Sequence, residues 1–428
     1  MRILIVTHAY APGRNPRAFR WSALAQHWSA RGHDVHVLTA PVPGLSAIEQ
    51  IDGVTVHRTR GHGVETLRAR LGSSQSQAAV TSGVGPGKRS ARALIRKVLK
   101  AAHDLTWKKL YWPDYAALWI VPAIRHGSGL LDGATPTVLI SVSIPFSSHV
   151  VGFFLRRKPS VSRWVVDIGD PFAFMVEAPT NNHSLYGTLN FAVERRILDS
   201  ADAISVTTEG TRRRYIATYP GVEEKIREVP PLVNIPAAPH RPSQSSHTPI
   251  RLVYTGTLHR TIRGPERLLS LYQKLVEHLG DRIELHLYGN HREVADVFES
   301  LPRAVRAGVF LHGEVDREEA LGAMRDATVL VNIGNDTTYQ LPSKLVEYAA
   351  MEKPVLNVVM RPNDSSVAFF KAHRCVFNVI GDADVSDAKA GDAVKFLLDA
   401  PDAECSCDRE WLRRFSTENV AAGYEQLF

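Results

Sequence analysis

The residues best suited to chemistry in this sequence are two cations and a carboxylate that follow predicted strands in its second half. Lys344 and Glu347 come after a strand predicted at 328–333, and Arg263 follows one predicted at 252–255. A guanidinium binds phosphate oxygens through paired hydrogen bonds, and an ammonium adds a point charge. A nearby glutamate can accept both hydroxyls of a ribose. Together these residues predict a site for a nucleoside diphosphate.

The backbone around these side chains is expected to contribute to the same site. Pro342 suits the first turn of a helix, whose free N–H groups favour a phosphate. Taken singly, these segments also fit plain strand-to-helix turns with solvated side chains. The residues predicted to bind the nucleotide are Gly256, Thr257, Arg263, Leu341, Pro342, Ser343, Lys344 and Glu347.

Polar residues occupy comparable places in the first half of the sequence. Strands are predicted at 2–7, 137–142 and 164–167, and polar side chains lie at or just after their ends. An aspartate pair in such a place also suits a turn, and a helix arginine is often simply solvated. The residues predicted to bind a second substrate are His8, Asn15, Arg20, Ser143, Asp167 and Asp170.

The elements that must position these side chains alternate along nearly the whole chain. Short β-branched runs are followed by amphipathic helical stretches, which predicts βαβ units, parallel sheets and an α/β fold. A proline-rich stretch near the middle predicts a linker at 230–250 between domains at 1–229 and 251–407. Residues 408–428 are expected to form a helix that crosses back to the first domain. Ligands of such sheets bind at the carboxyl ends of the strands, where the candidate residues fall.

The composition limits the classes of protein that are plausible. The 428 residues are 44% hydrophobic and 22% charged, which is typical of a globular protein rather than a disordered or fibrous one. The net charge of +7 favours acidic partners. Apolar stretches fall short of the roughly 18 residues needed to span a bilayer. Three cysteines, an odd number late in the chain, favour reduced thiols and a cytoplasmic protein.

Residues 88–109, from Lys88 to Lys109, form a basic segment with a single acid, Asp104, and interleaved apolar residues. This pattern is typical of a basic amphipathic helix. It fits a solvated helix face, and it also fits docking on anionic lipid, which would place the protein at the periphery of a membrane. Nucleic acid would suit the charge, but without a recognition motif we expect no nucleic-acid partner.

Several motifs give the sequence a family resemblance. The second half resembles retaining glycosyltransferases of family 4 through Tyr254-Thr255-Gly256, the pair of Arg263 and Lys344, Glu347, and Lys353-Pro354-Val355. The first half resembles a bacterial surface-polysaccharide branch of the same family. The motifs that carry this second resemblance are Arg20-Trp21, residues 32–35, Trp112-Pro113-Asp114, residues 141–149 and residues 164–171.

The resemblance implies a GT-B fold, with two facing Rossmann-like, doubly wound domains and a central cleft. It implies transfer of a sugar from a UDP or GDP sugar to a glycan, lipid-linked or small-molecule acceptor, with retention of anomeric configuration. Arg263 and Lys344 would offset the charge of the leaving diphosphate, and Asp170 would orient the reacting groups. These are the three residues predicted to be catalytic, and neither a metal nor a cofactor is expected.

Two positions depart from the family pattern. Tyr339 stands where the family has the first of two glutamates, and Gly169 stands where the branch often has arginine. A non-catalytic GT-B partner subunit therefore remains an alternative. An NAD-dependent oxidoreductase is a weaker one, because no Gly-x-Gly-x-x-Gly follows the first strand of either half.

Overall fold

The computed structural model describes residues 1–13, 15–60, 110–233, 249–335, 337–381, 384–403, 405 and 407–428. The basic segment at 88–109 lies outside these ranges. The chain forms two compact units, and each contains a parallel sheet. One unit comprises Met1–Val206, Ile216–Arg227 and Tyr424–Phe428, and the other comprises Thr207–Tyr215 and Glu228–Gly423. The predicted α/β class with two doubly wound sheets is confirmed.

The sheet of the first unit has eight strands within the described ranges. They are β1 (Arg2–Val6), β2 (Asp34–Thr39), β3 (Ile48–Ile51), β4 (Val54–Arg58), β5 (Thr137–Val142), β6 (Val161–Ile168), β7 (Ala203–Val206) and β8 (Ile226–Glu228). Their order is β3-β4-β2-β1-β5-β6-β7-β8, and β3 runs antiparallel to β4. The direction of winding reverses between β1 and β5, so a ligand site is expected at the carboxyl ends of these two strands.

Helices pack on this sheet through apolar faces. They are α1 (Pro16–Ala30), α2 (Ile120–Leu130), α3 (Ser147–Leu155) and α4 (His183–Ser200). A further helix, α5 (Glu209–Thr218), begins in residues of the second unit and ends in residues of the first. Asn15 caps α1 by accepting a hydrogen bond from the Ala18 N–H, which places the start of the helix at Pro16. The buried Trp28 of α1 packs against Tyr424 and Phe428 near the end of the chain.

The second unit repeats the design with a six-stranded parallel sheet, again counted within the described ranges. Its strands are β9 (Ile250–Thr255), β10 (Ile283–Tyr288), β11 (Val309–Gly313), β12 (Val329–Ile333), β13 (Val355–Val359) and β14 (Val376–Ile380), in the order β11-β10-β9-β12-β13-β14. Its helices are α6 (Glu266–Leu279), α7 (Ala295–Glu299), α8 (Arg303–Arg306), α9 (Arg317–Asp326), α10 (Lys344–Ala350), α11 (Ser365–Phe369), α12 (Asp387–Asp399) and α13 (Arg409–Arg413). A last helix, α14 (Thr417–Glu425), leads to the terminal residues of the first unit.

A ladder of three asparagines, two buried and one half-buried, fixes the register of three strands in this second sheet. Asn332, Asn357 and Asn378 lie side by side on β12, β13 and β14. The Asn332 amide donates to Asn357 over 2.8 Å, and the Asn357 amide donates to Asn378 over 2.7 Å. A one-residue slip of β13 would break both bonds, and a slip of β12 or β14 would break one, so the ladder holds the strand ends in fixed relative positions.

Two details differ from the sequence predictions. Helix α10 begins at Lys344, so placing Pro342 in its first turn was wrong: the Pro342 carbonyl accepts from the Leu345 N–H in a turn that precedes the helix. The expectation of reduced thiols was also wrong for two cysteines, because Cys375 and Cys405 form a disulfide. An isolated bridge between His373 and Cys407 brings these segments together. Among the described helices, none has both the length and the apolarity needed to cross a bilayer.

Replacing Asn357 by alanine is expected to lower the free energy of unfolding by about 2–4 kcal/mol, since the buried amide of Asn332 and the half-buried amide of Asn378 both lose their partner. Urea denaturation measures this loss. The exposed Asn419, which donates to the Arg413 carbonyl, provides the matched control, and Asn419→Ala is expected to cost much less. Equal losses in the two variants would contradict the role of the ladder.

Candidate functional site

The turn after β9 exposes backbone atoms rather than side chains, because two glycines contact each other there. The N–H of Gly256 donates to the Tyr288 carbonyl over 2.7 Å, and a Cβ on Gly289 would overlap the Gly256 carbonyl. Both glycines have positive φ, at 135° and 128°, which residues with side chains rarely adopt. The carboxyl ends of β9 and β10 therefore present backbone groups, as the predicted nucleotide site requires.

Lys344 lies beside this turn, at the start of α10. Its ammonium donates to the Thr255 carbonyl over 3.0 Å and lies 3.7 Å from the centre of the Tyr254 ring. Burial lowers the pKa of Lys344 well below its usual value, and the charge of Arg263 lowers it further. The ring face of Tyr254 and a single carbonyl are poor substitutes for water around an ammonium.

Arg263 is held by neutral groups. Its Nε donates to Asn335 Oδ1 over 2.5 Å, and its Nη1 is 3.5 Å from the Thr257 carbonyl oxygen. The turn that carries it is closed by the bridge between His259 and Arg263 and is tied down by Glu293, which accepts from the N–H of Arg260. The guanidinium is thus fixed in place without a carboxylate.

Two cations therefore lie at the carboxyl end of β9, and the part of the chain that the structure describes supplies no counterion to either. Among the described residues, neither Arg263 nor Lys344 has an acidic side chain within ion-pair distance. Burial is the larger cause of the lowered pKa of Lys344, and the positive charge of Arg263 adds to it. Buried or half-buried charges in proteins are normally paired, so this arrangement is suited to an anion that arrives as a ligand.

Glu347 does have a partner, which sequence reasoning missed. Its Oε1 lies 2.7 Å from Nη2 of Arg317, the first residue of α9, and the glutamate side chain is 16% exposed. The only sequence signal for Arg317 is its place directly after Asp316, which caps a helix shortly after β11. Arg317 fixes the carboxylate on the side of α10 that carries Lys344 one turn earlier.

The loop that precedes α10 contains Tyr339 and the predicted residues Leu341, Pro342 and Ser343, all half-buried. The Tyr339 carbonyl accepts from the hydroxyls of Thr208 and Thr211, over 2.6 and 2.9 Å. The Gln340 carbonyl accepts from the hydroxyl of Ser365. These three hydroxyls hold the loop in one conformation, and none of them was singled out from the sequence.

In the first unit, Asp167 is the last residue but one of β6, and its side chain is 1% exposed. Its Oδ1 accepts from Ser205 over 2.8 Å and from the Tyr424 hydroxyl over 2.5 Å, and its Oδ2 accepts from Arg17 Nη2 over 2.6 Å. Burial alone would raise the pKa of Asp167, but Arg17, Arg20 and these hydroxyls outweigh it and lower the pKa. The carboxylate is charged and fully engaged.

The other residues predicted to bind a second substrate surround this carboxylate or lie near the end of β1. Ser143 is buried, and its carbonyl accepts from Arg17 Nε over 2.6 Å. Arg20 is buried and donates to the Tyr424 hydroxyl over 3.0 Å, while Asn15 caps α1. Asp170 is half-buried just after β6. The structure thus gathers Ser143, Asp167 and Arg20 through contacts with Arg17 and Tyr424, neither of which was among the predicted residues.

His8 and His149 are neutral packing residues in this structure. His8 lies edge-on to Tyr115 and Trp119, and burial lowers its pKa to about 4. His149 accepts from or donates to the Ser141 hydroxyl over 2.9 Å, and burial lowers its pKa to about 3. Neither imidazole is therefore charged at neutral pH.

The fold is that of GT-B glycosyltransferases. The chain aligns over its whole length with 98% of HepE from Anabaena, crystallised with UDP and glucose, at 12% identity and a TM-score of 0.57. It aligns likewise with 99% of a S. aureus TarM variant, crystallised with fondaparinux, alpha-GlcNAc-glycerol and UDP, at 11% identity and a TM-score of 0.57. The third similar structure is WaaG, described as a glycosyltransferase involved in lipopolysaccharide biosynthesis. The alignment includes 99% of this chain and 95% of WaaG, at 15% identity and a TM-score of 0.51.

Sequence comparison then identifies the family. The family model described as "Glycosyl transferase 4-like domain" matches residues 18–231, which is half of the chain. The chain belongs to this family of glycosyltransferases. A search of curated protein sequences gave no significant match.

Replacing Lys344 by methionine is expected to raise the free energy of unfolding by about 1 kcal/mol or more, because a half-buried charge that has no counterion among the described residues is removed at nearly constant volume. The lysine pKa is lower in the folded chain, so the unfolded chain binds more protons and stability should rise with pH toward about 10.5. Lys344→Met should lose this rise.

Urea denaturation at neutral and alkaline pH tests both effects. Lys274, a lysine at the surface with its side chain 29% exposed and paired with Asp387, provides the control, and Lys274→Met should change neither the stability nor its pH dependence appreciably. A less stable Lys344→Met variant would contradict the view that this ammonium lacks adequate compensation.

Proposed function

We propose that this chain transfers a sugar from a UDP or GDP sugar to an acceptor. Family membership supports the class of reaction. The observation that carries the proposal is the pair formed by Arg263 and Lys344, two fixed cations at the carboxyl end of β9 that have no counterion among the described residues. Such a pair is suited to the two negative charges of a nucleoside diphosphate, which is the leaving group of the reaction.

The remaining donor contacts follow from the same edge of the sheet. The diphosphate would lie over the backbone of Gly256 and Thr257, between Arg263 and Lys344, with Leu341, Pro342 and Ser343 on the side of α10. Glu347 would accept the ribose hydroxyls, with Arg317 keeping its carboxylate oriented. HepE has been crystallised with UDP-glucose, which makes UDP sugars the first donors to try.

In the proposed reaction an acceptor hydroxyl attacks the anomeric carbon as the bond from that carbon to the phosphate oxygen breaks. The nucleoside diphosphate leaves from the same face and takes the acceptor proton, so configuration is retained and no protein nucleophile is needed. Arg263 and Lys344 stabilise the charge that develops on the diphosphate, which is the role a metal ion plays elsewhere. Asp170 is the carboxylate proposed to orient the reacting groups.

The proposed acceptor belongs to surface polysaccharide or glycolipid synthesis, and the first unit is proposed to bind it. WaaG, described as acting in lipopolysaccharide biosynthesis, shares the fold and supports this direction. Docking of the basic segment at 88–109 on anionic lipid would bring the enzyme to such an acceptor, and this hypothesis rests on the sequence of that segment alone.

A non-catalytic partner subunit is the competing proposal, and Tyr339 favours it. Tyr339 replaces an acidic residue of the family pattern, and its loop is fixed by Thr208 and Thr211. The counterion-free cations favour turnover instead, since a subunit that binds no donor gains nothing from their repulsion.

Calorimetric titration with UDP and with GDP, in the presence of a chelator, tests the donor site. We expect one nucleotide to bind with micromolar affinity and Glu347→Ala to weaken it by about 10- to 100-fold, the range for a hydrogen-bonded charged group. Glu277 is exposed on α6, and Glu277→Ala should bind as the wild type does.

Three results are informative. Loss of binding in Glu347→Ala supports the donor site as described. Wild-type affinity in that variant would remove Glu347 from the site. Failure of both nucleotides to bind the wild type would sink the donor site and favour the non-catalytic subunit.

A further inference from the structure

Asp167 was predicted to contact substrate, but its geometry in the first unit suits a different role. The side chain is 1% exposed, and both carboxylate oxygens already accept hydrogen bonds, from Ser205, Tyr424 and Arg17. A carboxylate in this state has no room for a hydroxyl of a ligand. What it does instead is fix the guanidinium of Arg17.

Arg17 is placed where helix stability alone would not put a cation. It is the second residue of α1, and positive charge at a helix N-terminus opposes the helix dipole. Asp167 compensates this cost through the 2.6 Å ion pair. The second contact, from Nε to the Ser143 carbonyl, ties the guanidinium to the end of β5. The group is thereby locked at the carboxyl ends of β5 and β6, next to the point where the winding of the sheet reverses.

The contacts with Ser143 and Asp167 leave part of the Arg17 guanidinium available for a further hydrogen bond. Nε and Nη2 are used by Ser143 and Asp167, while Nη1 has no hydrogen-bond partner among the residues that the structure describes. The side chain is 18% exposed. A fixed guanidinium with one free –NH₂ is a preorganised donor for a substrate oxygen.

Gly169 makes room for this arrangement. A Cβ on Gly169 would lie 2.7 Å from Arg17 Nε and closer still to Cζ. The backbone of Gly169 does not adopt the left-handed conformation that calls for glycine. Space is therefore the reason for a glycine, and any side chain at this position would displace the guanidinium.

We infer that Arg17 is a substrate-binding residue of the first unit, that Asp167 and Ser143 are its positioning residues, and that Gly169 is small so that the guanidinium can occupy the space beside it. This inference rests on the proposed function and adds a residue to it. In this arrangement the buried carboxylate acts on the substrate only through Arg17.

The first test is turnover of the nucleotide sugar that the wild type uses fastest. Arg17→Ala should lower the rate by about 10- to 100-fold, the range for a charge-assisted hydrogen bond, while nucleotide affinity at the donor site stays unchanged. Guanidinium chloride, far below denaturing concentrations, should restore part of the activity by entering the vacated space.

Gly169 supplies the discriminating variants. Gly169→Ala should lower turnover in the wild-type background. In the double variant Arg17→Ala/Gly169→Ala the new methyl group occupies the vacated space, so guanidinium should no longer restore activity. Arg163, whose Nε donates to the Leu427 carbonyl away from the site, gives the control: Arg163→Ala should keep its turnover and not respond to guanidinium.

Wild-type turnover in Arg17→Ala, or equal rescue of the single and double variants, would overturn the inference. If the proposed donor site is wrong, the calorimetric titration shows this separately, because neither UDP nor GDP then binds the wild type. Stability tests the packing without any activity: Gly169→Ala should lower the thermal midpoint of the wild type and leave that of Arg17→Ala unchanged. Equal lowering in both backgrounds would also overturn it.

Discussion

The account of this protein depends on the repulsion between two cations, Arg263 and Lys344, that the second unit holds at the end of β9. A protein avoids burying an ammonium beside a guanidinium unless something offsets the cost. Here the partners are an asparagine, backbone carbonyls and the ring of Tyr254, all neutral. Fixed positive charge of this kind stabilises an anion without reorganisation when the anion arrives. The glycines, tyrosines and threonines that surround the two cations hold them in fixed positions.

The first unit differs, because its buried charge has partners of opposite charge. Its buried charge is the Asp167 carboxylate, and it is fully paired. The pairing reaches across the sequence, because Tyr424, which donates to Asp167, is 257 residues further along the chain. That contact explains why the last five residues belong to the first unit. Asp167 was predicted to bind substrate, and the same contacts support the inference that it positions Arg17 instead.

The sequence predicted those features that depend on neighbouring residues along the chain, such as strand bounds and the residues that follow strands. Strand β5 was predicted with its observed bounds because a β-branched apolar run ends at a polar turn, and Arg263, Lys344 and Glu347 were predicted to bind the nucleotide because they follow strands. Residues defined by tertiary pairing were missed. Arg17 and Arg317 look like ordinary helix arginines until Asp167 and Glu347 are brought beside them. The disulfide was missed for the same reason, since only the fold places Cys405 next to Cys375.

The most direct test of the central claim is release of nucleoside diphosphate from a panel of UDP and GDP sugars, in the presence of a chelator. The account predicts that the wild type consumes sugars of one nucleotide class, and that replacing Arg263 and Lys344 together by alanine and methionine abolishes release while the chain stays folded. Turnover that survives loss of both cations would contradict the account, as would a wild type that consumes no donor at all.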